Sequence, residues 1–238
     1  MDEILGRIEE AFTNPFNVFL LLLMIAMLLF WLSAHKWQTP ERVKKRAIFF
    51  SPKPTQYLQN HFRNRYLDFI TQQVWLWVFI LCVCIEVFVC GLQGVNAWRY
   101  GVMALTAWGT SMTIQFLFPV IVPIRYDIFD RELPVVPIRL LQFKQSDNVN
   151  GLLYNGLPSN HFGMMIAGIL ITLFIMENDP WIGWIVLLAF FIIIGFLFCF
   201  SVIYLGEHYI QDLIASIFVY VPVMVGIKLI LDYFIPLT

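Results

Sequence analysis

Residues 181–200 read WIGWIVLLAFFIIIGFLFCF, twenty consecutive positions without a charged side chain. A bilayer's hydrocarbon core, about 30 Å thick, takes about 20 apolar residues of helix to cross. Within that layer a helix satisfies every backbone N–H and C=O inside its own segment. This stretch therefore reads as a transmembrane helix. Working outward, five more stretches of comparable character appear: Phe16–Ala34, Val74–Gly91, Ala97–Val122, His161–Met176 and Tyr209–Leu231. The whole-chain numbers agree, with 60% hydrophobic, 17% aromatic and 13% charged residues and a mean hydropathy of +0.75. That balance excludes an ordinary soluble domain. The expected fold is an all-α integral membrane protein, a bundle of six transmembrane helices with an interfacial basic loop after the first span.

The first stretch differs from a secretory leader. The residues before it are acidic (Asp2, Glu3, Glu9, Glu10) with a single Arg7, and no small-x-small cleavage site follows Trp31. It is expected to remain as a permanent span. Cys82, Cys84, Cys90 and Cys199 all fall inside expected spans, without the paired Cys–His spacing of a zinc site. They read as small apolar side chains, and neither disulfide nor metal is expected.

The polar connections are uneven. Residues 35–73 carry Lys36, Arg42, Lys44, Lys45, Arg46, Lys53, Arg63 and Arg65, interleaved with Phe49, Phe50, Tyr57, Phe62, Tyr66 and Phe69. Such a segment either attracts anionic head groups with rings at the acyl boundary, or serves as a topology signal with a solvated face. The connection before His161 carries Arg125, Arg131, Arg139 and Lys144 among prolines at 119, 123, 134, 137 and 158, which discourage regular helix. These cations can cradle a phosphate, with Arg125 favoured and Arg139 and Lys144 behind it. They can equally pair with Asp127, Asp130, Glu132 or Asp147 at the surface.

Two short segments look built for chemistry: Gly156-Leu157-Pro158-Ser159-Asn160-His161, and Gly206-Glu207-His208-Tyr209-Ile210-Gln211-Asp212. Residues four apart share a helix face, so Asp212 is expected one turn above His208, holding its ring in one tautomer. The other ring nitrogen is then a nucleophile or general base, and His161, arriving from another helix, can act as the acid. Ser159 and Asn160 are expected to cap the helix that starts there, where backbone N–H groups and the positive dipole end suit an anion. Ionisable groups inside membrane segments are costly and usually functional.

Leu157-Pro158-Ser159-Asn160-His161 resembles the proline-serine-x-histidine signature of the type 2 phosphatidic acid phosphatase superfamily, and His208-x-x-x-Asp212 resembles its last signature. Six spans, with one signature opening span four and the other opening span six, also match that superfamily's order. The resemblance covers about Phe118 to Ser216. Within the superfamily, His208-Tyr209-Ile210-Gln211-Asp212 is similar to a block in inositol phosphorylceramide synthases and their bacterial relatives. Residues 1–73, outside the resemblance, are expected to form an N-terminal anchor span and basic interfacial segment, and residues 74–238 a phosphatase- or phosphotransferase-like membrane core.

The resemblance implies that His208 attacks phosphorus to form a phosphohistidine, Asp212 orients it, His161 protonates the departing oxygen and Ser159 helps bind the phosphoryl oxygens. It implies no metal and no cofactor. The expected partners are a membrane lipid phosphate and the bilayer, with no nucleic acid. The superfamily's first signature, a lysine followed six residues later by Arg-Pro, is missing, and Ser201-Val202 stands where a serine-arginine pair would fall. Phosphate-binding cations must then come from elsewhere, which is the case for Arg125, Arg139 and Lys144. Lipid phosphate or diphosphate hydrolysis is the first expectation and transfer of a phospho-head group to a lipid alcohol the second. A transporter or a scaffold is the third. The superfamily mostly works on the outer or lumenal face, whereas the cluster of Lys and Arg after the first span places the active face in the cytoplasm.

Overall fold

The computed structural model of the chain describes residues 45–124, 132, 134–136 and 156–235, together with positions 22, 26, 29 and 43. These residues are helical apart from turns and short extended segments. Helices α1 (Lys53–Phe62) and α2 (Arg65–Gln73) are followed by a π-helical turn, Val74–Val78, which leads into α3 (Phe79–Gly91). A 3-10 turn, Gly94–Asn96, then opens α4 (Ala97–Leu117), and α5 (Asn160–Met176), α6 (Ile182–Leu205) and α7 (Ile210–Phe234) follow.

Three helices among the described residues are long and apolar enough to cross a membrane: Arg65–Gly91, Ile182–Leu205 and Ile210–Phe234. The stretch Phe16–Ala34 lies outside the described residues, apart from three helical positions. Asn160–Met176 is apolar but only 17 residues long. The helix expected over Ala97–Val122 stops at Leu117 and carries Arg99, Thr106, Thr110, Ser111, Thr113 and Gln115. Pro119 explains the stop: it has no N–H to donate and drives Phe118 out of the helical region, to φ −124°.

The other boundary that moved lies at the start of the second span. Asn64 caps α2 by accepting from the N–H groups of Tyr66 at 3.1 Å and Leu67 at 2.9 Å, so a single helical run of 27 residues extends from Arg65 to Gly91, passing the expected start at Val74. The segment before it is also tied to the core. Gln59 donates to the carbonyl of Tyr204 at 2.8 Å and to that of Val136 at 3.2 Å, and accepts the N–H of Val136 at 2.9 Å. Tyr204 in turn donates its hydroxyl to Asp68.

α5 is the central helix, packing against α3, α4, α6 and α7. Its Met165, Ala167, Ile171 and Ile175 are buried, and Gly163 lies flat against the ring of Tyr220 on α7. A Cβ at 163 would stand 2.1 Å from that ring, so only glycine allows this approach. α6 has two faces. Trp184, Phe191, Phe198 and Val202 point inward at helical spacing, whereas Ile182, Ile185, Val186, Ile193, Phe196 and Leu197 are exposed. Leaving six such side chains in water would cost on the order of 10 kcal/mol, comparable with a domain's entire net stability. That outer face therefore belongs in lipid.

The ends of the bundle are polar. At one end the buried Arg99 of α4 pairs with Asp232 of α7 and donates to the carbonyl of Ile235, while Lys228 bridges Asp232 and Glu177, each at 2.8 Å. At the other end, residues 119–122 run outside regular helix, with Val120 in a β-bridge. Ile48 donates its N–H to the carbonyl of Pro119 and accepts the N–H of Ile121, each at 3.0 Å, on either side of Val120; Gly156 donates to the carbonyl of Val120 at 3.1 Å, and the Tyr209 hydroxyl donates to that of Ile121 at 2.8 Å.

Candidate active site

His208 is positioned by two helix ends. α6 stops at Gly206, whose φ of +75° is the left-handed conformation that favours glycine, and a Cβ there would meet Ile124 at 2.7 Å. The N–H groups of Glu207 and His208 both turn back onto the carbonyl of Val202, at 2.9 and 3.3 Å. α7 then begins at Ile210 with Tyr209 as its cap residue. His208 thus precedes the helix, and the expected pairing on one helix face is replaced by a capping geometry. Asp212, in the first turn, reaches back to accept the N–H of Tyr209 at 2.9 Å, and the same oxygen, Oδ2, stands 3.2 Å from His208 Nδ1. The pair forms because capping brings the carboxylate back.

The second segment arrives from α5. Ser159 is its cap residue, accepting the N–H of Phe162 at 3.3 Å, and its hydroxyl lies 3.0 Å from His208 Nε2. The backbone around it is held from α7: the Ser159 N–H donates to the carbonyl of Asp212 at 3.2 Å, and the Ser216 hydroxyl donates to the carbonyl of Ser159 at 2.9 Å. Ser159, His208, Asp212 and Ser216 are all buried. Asn160 departs from expectation: its side chain does not cap the helix but turns toward α4 and α7, meeting Ser111, Gln115 and Tyr220.

His161, one residue into α5, presents its ring to that of His208 with centroids 6.2 Å apart and planes inclined by 61°. Trp75 from the π-helical turn and Phe198 from α6 flank it, at 6.4 and 6.2 Å. A π turn shifts the register of the side chains beyond it and recurs at functional sites, which gives Trp75 a structural reason to sit there. Sequence reading passed over Trp75, Ser216, Gln115 and Ser111. Each is an ordinary helical residue in sequence and acquires meaning only from what it faces.

A proton on Nδ1, which is directed at the Asp212 carboxylate, leaves the Nε2 lone pair free to accept from the Ser159 hydroxyl. The arrangement can present a nitrogen nucleophile, a hydroxyl beside it and a second imidazole within reach of the same small volume. Asp212 Oδ1 is buried without a hydrogen-bond partner among the described residues. Of the residues singled out by sequence, His161, His208, Asp212 and Ser159 therefore meet, whereas Arg125, Arg139 and Lys144 lie outside the described residues.

No curated protein and no solved structure matches the chain. A family model does, and its match covers residues 96–233, a region that begins at the foot of α4 and takes in both histidine segments. With more than half of its length matched, the chain belongs to the PAP2 superfamily.

Proposed function

We propose that this protein is a membrane-embedded phosphatase for a lipid phosphate or diphosphate, working through a phosphohistidine. Membership of a superfamily of phosphatases and phosphotransferases sets the reaction class. The observation that carries the assignment of roles is the line Asp212 Oδ2, His208 Nδ1, His208 Nε2, Ser159 Oγ, with spacings of 3.2 and 3.0 Å at its two contacts. In this reading Nε2 attacks phosphorus as the P–O bond to the lipid breaks, and the departing oxygen takes a proton from His161. The Ser159 hydroxyl turns from Nε2 to a phosphoryl oxygen. Water, deprotonated by His161, then breaks the N–P bond and frees phosphate.

The remaining elements of the reading extend beyond the described residues. Six spans carry the site, with Phe16–Ala34 as the first and α4 and α5 as the third and fourth. Arg125, Arg139 and Lys144 supply positive charge to the phosphate, the active face is cytoplasmic and no metal takes part. The shortness of α5 is consistent with a span, because its burial among four helices gives it protein rather than lipid as surroundings.

Purified protein supplied with lipid phosphates and diphosphates labelled on phosphorus, in the presence of a chelator, tests this directly. Free phosphate released without an alcohol acceptor is the expected result. A new phospholipid with little free phosphate, when phosphatidylinositol and ceramide are supplied, would instead assign a phosphotransferase. Silence on every lipid phosphate would overturn both.

A further inference from the structure

The Asn160 side chain occupies a junction of three helices. Its Oδ1 accepts from the Ser111 hydroxyl of α4 and from the Tyr220 hydroxyl of α7 at 3.4 Å, and its Nδ2 donates to Gln115 Oε1 at 3.0 Å and to Met112 Sδ at 2.7 Å. Both lone pairs and both amide protons are thus engaged, the full capacity of an asparagine. Gln115 completes a loop by donating its own amide to the carbonyl of Pro158 at 2.5 Å. Ser111, Gln115 and Tyr220 are all buried and Asn160 is half-buried, so a buried partner orphaned by its loss would cost about 1–3 kcal/mol.

The junction brackets the catalytic segment. Pro158 is held by Gln115 on one side of Ser159, and Asn160 is held by the Gln115–Ser111 pair on the other. His161 follows directly, so the direction in which its ring leaves α5 is set by where Asn160 is pinned. Among the described residues neither Asn160 nor Gln115 hydrogen-bonds to His208 or Asp212.

We infer that Asn160 and Gln115 are positioning residues: together they lock residues 158–161 to α4 and so fix the distance from the His161 ring to the oxygen leaving phosphorus. This rests on the phosphatase reading above. Loosening the lock damages proton transfer by His161, which in the phosphorylation step means delivery to the leaving group, because displacing a catalytic group by about 1 Å can cost about a hundredfold in rate. It leaves the His208–Asp212 pair, which is held by the cap of α7, in place.

The test compares two lipid-like substrates with the full chain: an alkyl phosphate, whose departing alkoxide needs a proton, and a nitrophenyl phosphate, whose phenolate leaves without one. Asn160→Ala and Gln115→Met are measured singly and together, alongside unchanged protein. Gln115→Met keeps the side-chain volume and removes only the amide, so it serves alone if Asn160→Ala does not fold. The expected result, read as the single-turnover rate of leaving-group release, is a fall of about tenfold or more on the alkyl substrate and of less than about threefold on the nitrophenyl one, while phosphohistidine breakdown, which also uses His161, slows alike for both. The double variant is expected to be no worse than the more affected single variant, since both substitutions cut one tether. Equal losses of that release rate on the two substrates, or full activity in both single variants, would overturn the inference. Inactivity of the unchanged protein on both substrates would instead overturn the phosphatase reading itself.

Discussion

The hydroxyl of Ser159 lies 3.0 Å from Nε2 of His208, a contact between residues separated by 49 positions and delivered by the adjacent ends of α5 and α7. Each of the two is also held by a second bond: Ser159 caps α5 by accepting from Phe162, and His208 faces the carboxylate of Asp212. The nitrogen proposed to attack phosphorus is therefore held in place from two sides, with a serine hydroxyl beside it.

Replacing His208 by Ala removes the nitrogen that would carry the phosphoryl group. Turnover is expected to fall by at least about a thousandfold, and acid-labile label from a phosphorus-labelled lipid should vanish from the protein. His161→Ala should retain labelling with a good leaving group while breakdown slows. Rapid quenching and acid-lability measurements distinguish the two, and undiminished turnover in His208→Ala would remove the phosphohistidine from the mechanism.

Asp212 serves both His208 and the start of α7, and two substitutions separate these duties. Asp212→Asn keeps an oxygen for the Tyr209 N–H but loses the charge, so kcat should drop by about 10²–10⁴ with little change in unfolding midpoint. Asp212→Ala should lose comparable activity and about 0.5–2 kcal/mol of stability besides. Thermal unfolding in detergent alongside kinetics reads both; an active Asp212→Asn would show that the charge is dispensable.

Two glycines offer a matched pair. At Gly163 an added Cβ would stand 2.1 Å from the buried Tyr220 ring, whereas at Gly195 nothing lies within 4 Å. Gly163→Ala should destabilise by about 1–3 kcal/mol through overpacking. Gly195→Ala should be neutral or stabilising by up to about 1 kcal/mol, since alanine favours helix. A lower midpoint for Gly195→Ala than for Gly163→Ala would contradict the packing of α5 on α7.

Sidedness follows from the exposed Ser51, which lies in the basic segment before α1. With the active face in the cytoplasm, a Ser51→Cys variant in intact cells should resist an impermeant thiol reagent and react after permeabilisation, with the unsubstituted protein as the background. Labelling from outside would reverse the orientation.

Much of this protein is legible in sequence, for reasons specific to membranes. Trp181–Phe200 has few alternatives to a helix because lipid offers its backbone no hydrogen-bond partners, and the helix found there, Ile182–Leu205, differs mainly at its C-terminal end. Pro158-Ser159-Asn160-His161 and His208-x-x-x-Asp212 likewise declared themselves, since ionisable side chains at apolar helix ends are costly enough to stand out. What misled was local. The helix expected to Val122 ends at Leu117 because Pro119 prevails over the apolar run, and the helix after Gln73 begins instead at Arg65 because Asn64 caps it.

By itself, then, the sequence determined the membrane class, the residues capable of chemistry and their order along the chain, because hydropathy and side-chain type are properties of each position. Only the tertiary structure decided how those residues meet. Asp212 reaches His208 through the cap of α7 and not along a helix face, because α7 starts after the histidine. Asn160 turned away from its expected capping role toward Ser111 and Gln115, and Trp75 came to flank His161 through a π-helical turn. These outcomes depend on which helix lies alongside, a relation between distant positions that no single stretch of residues contains.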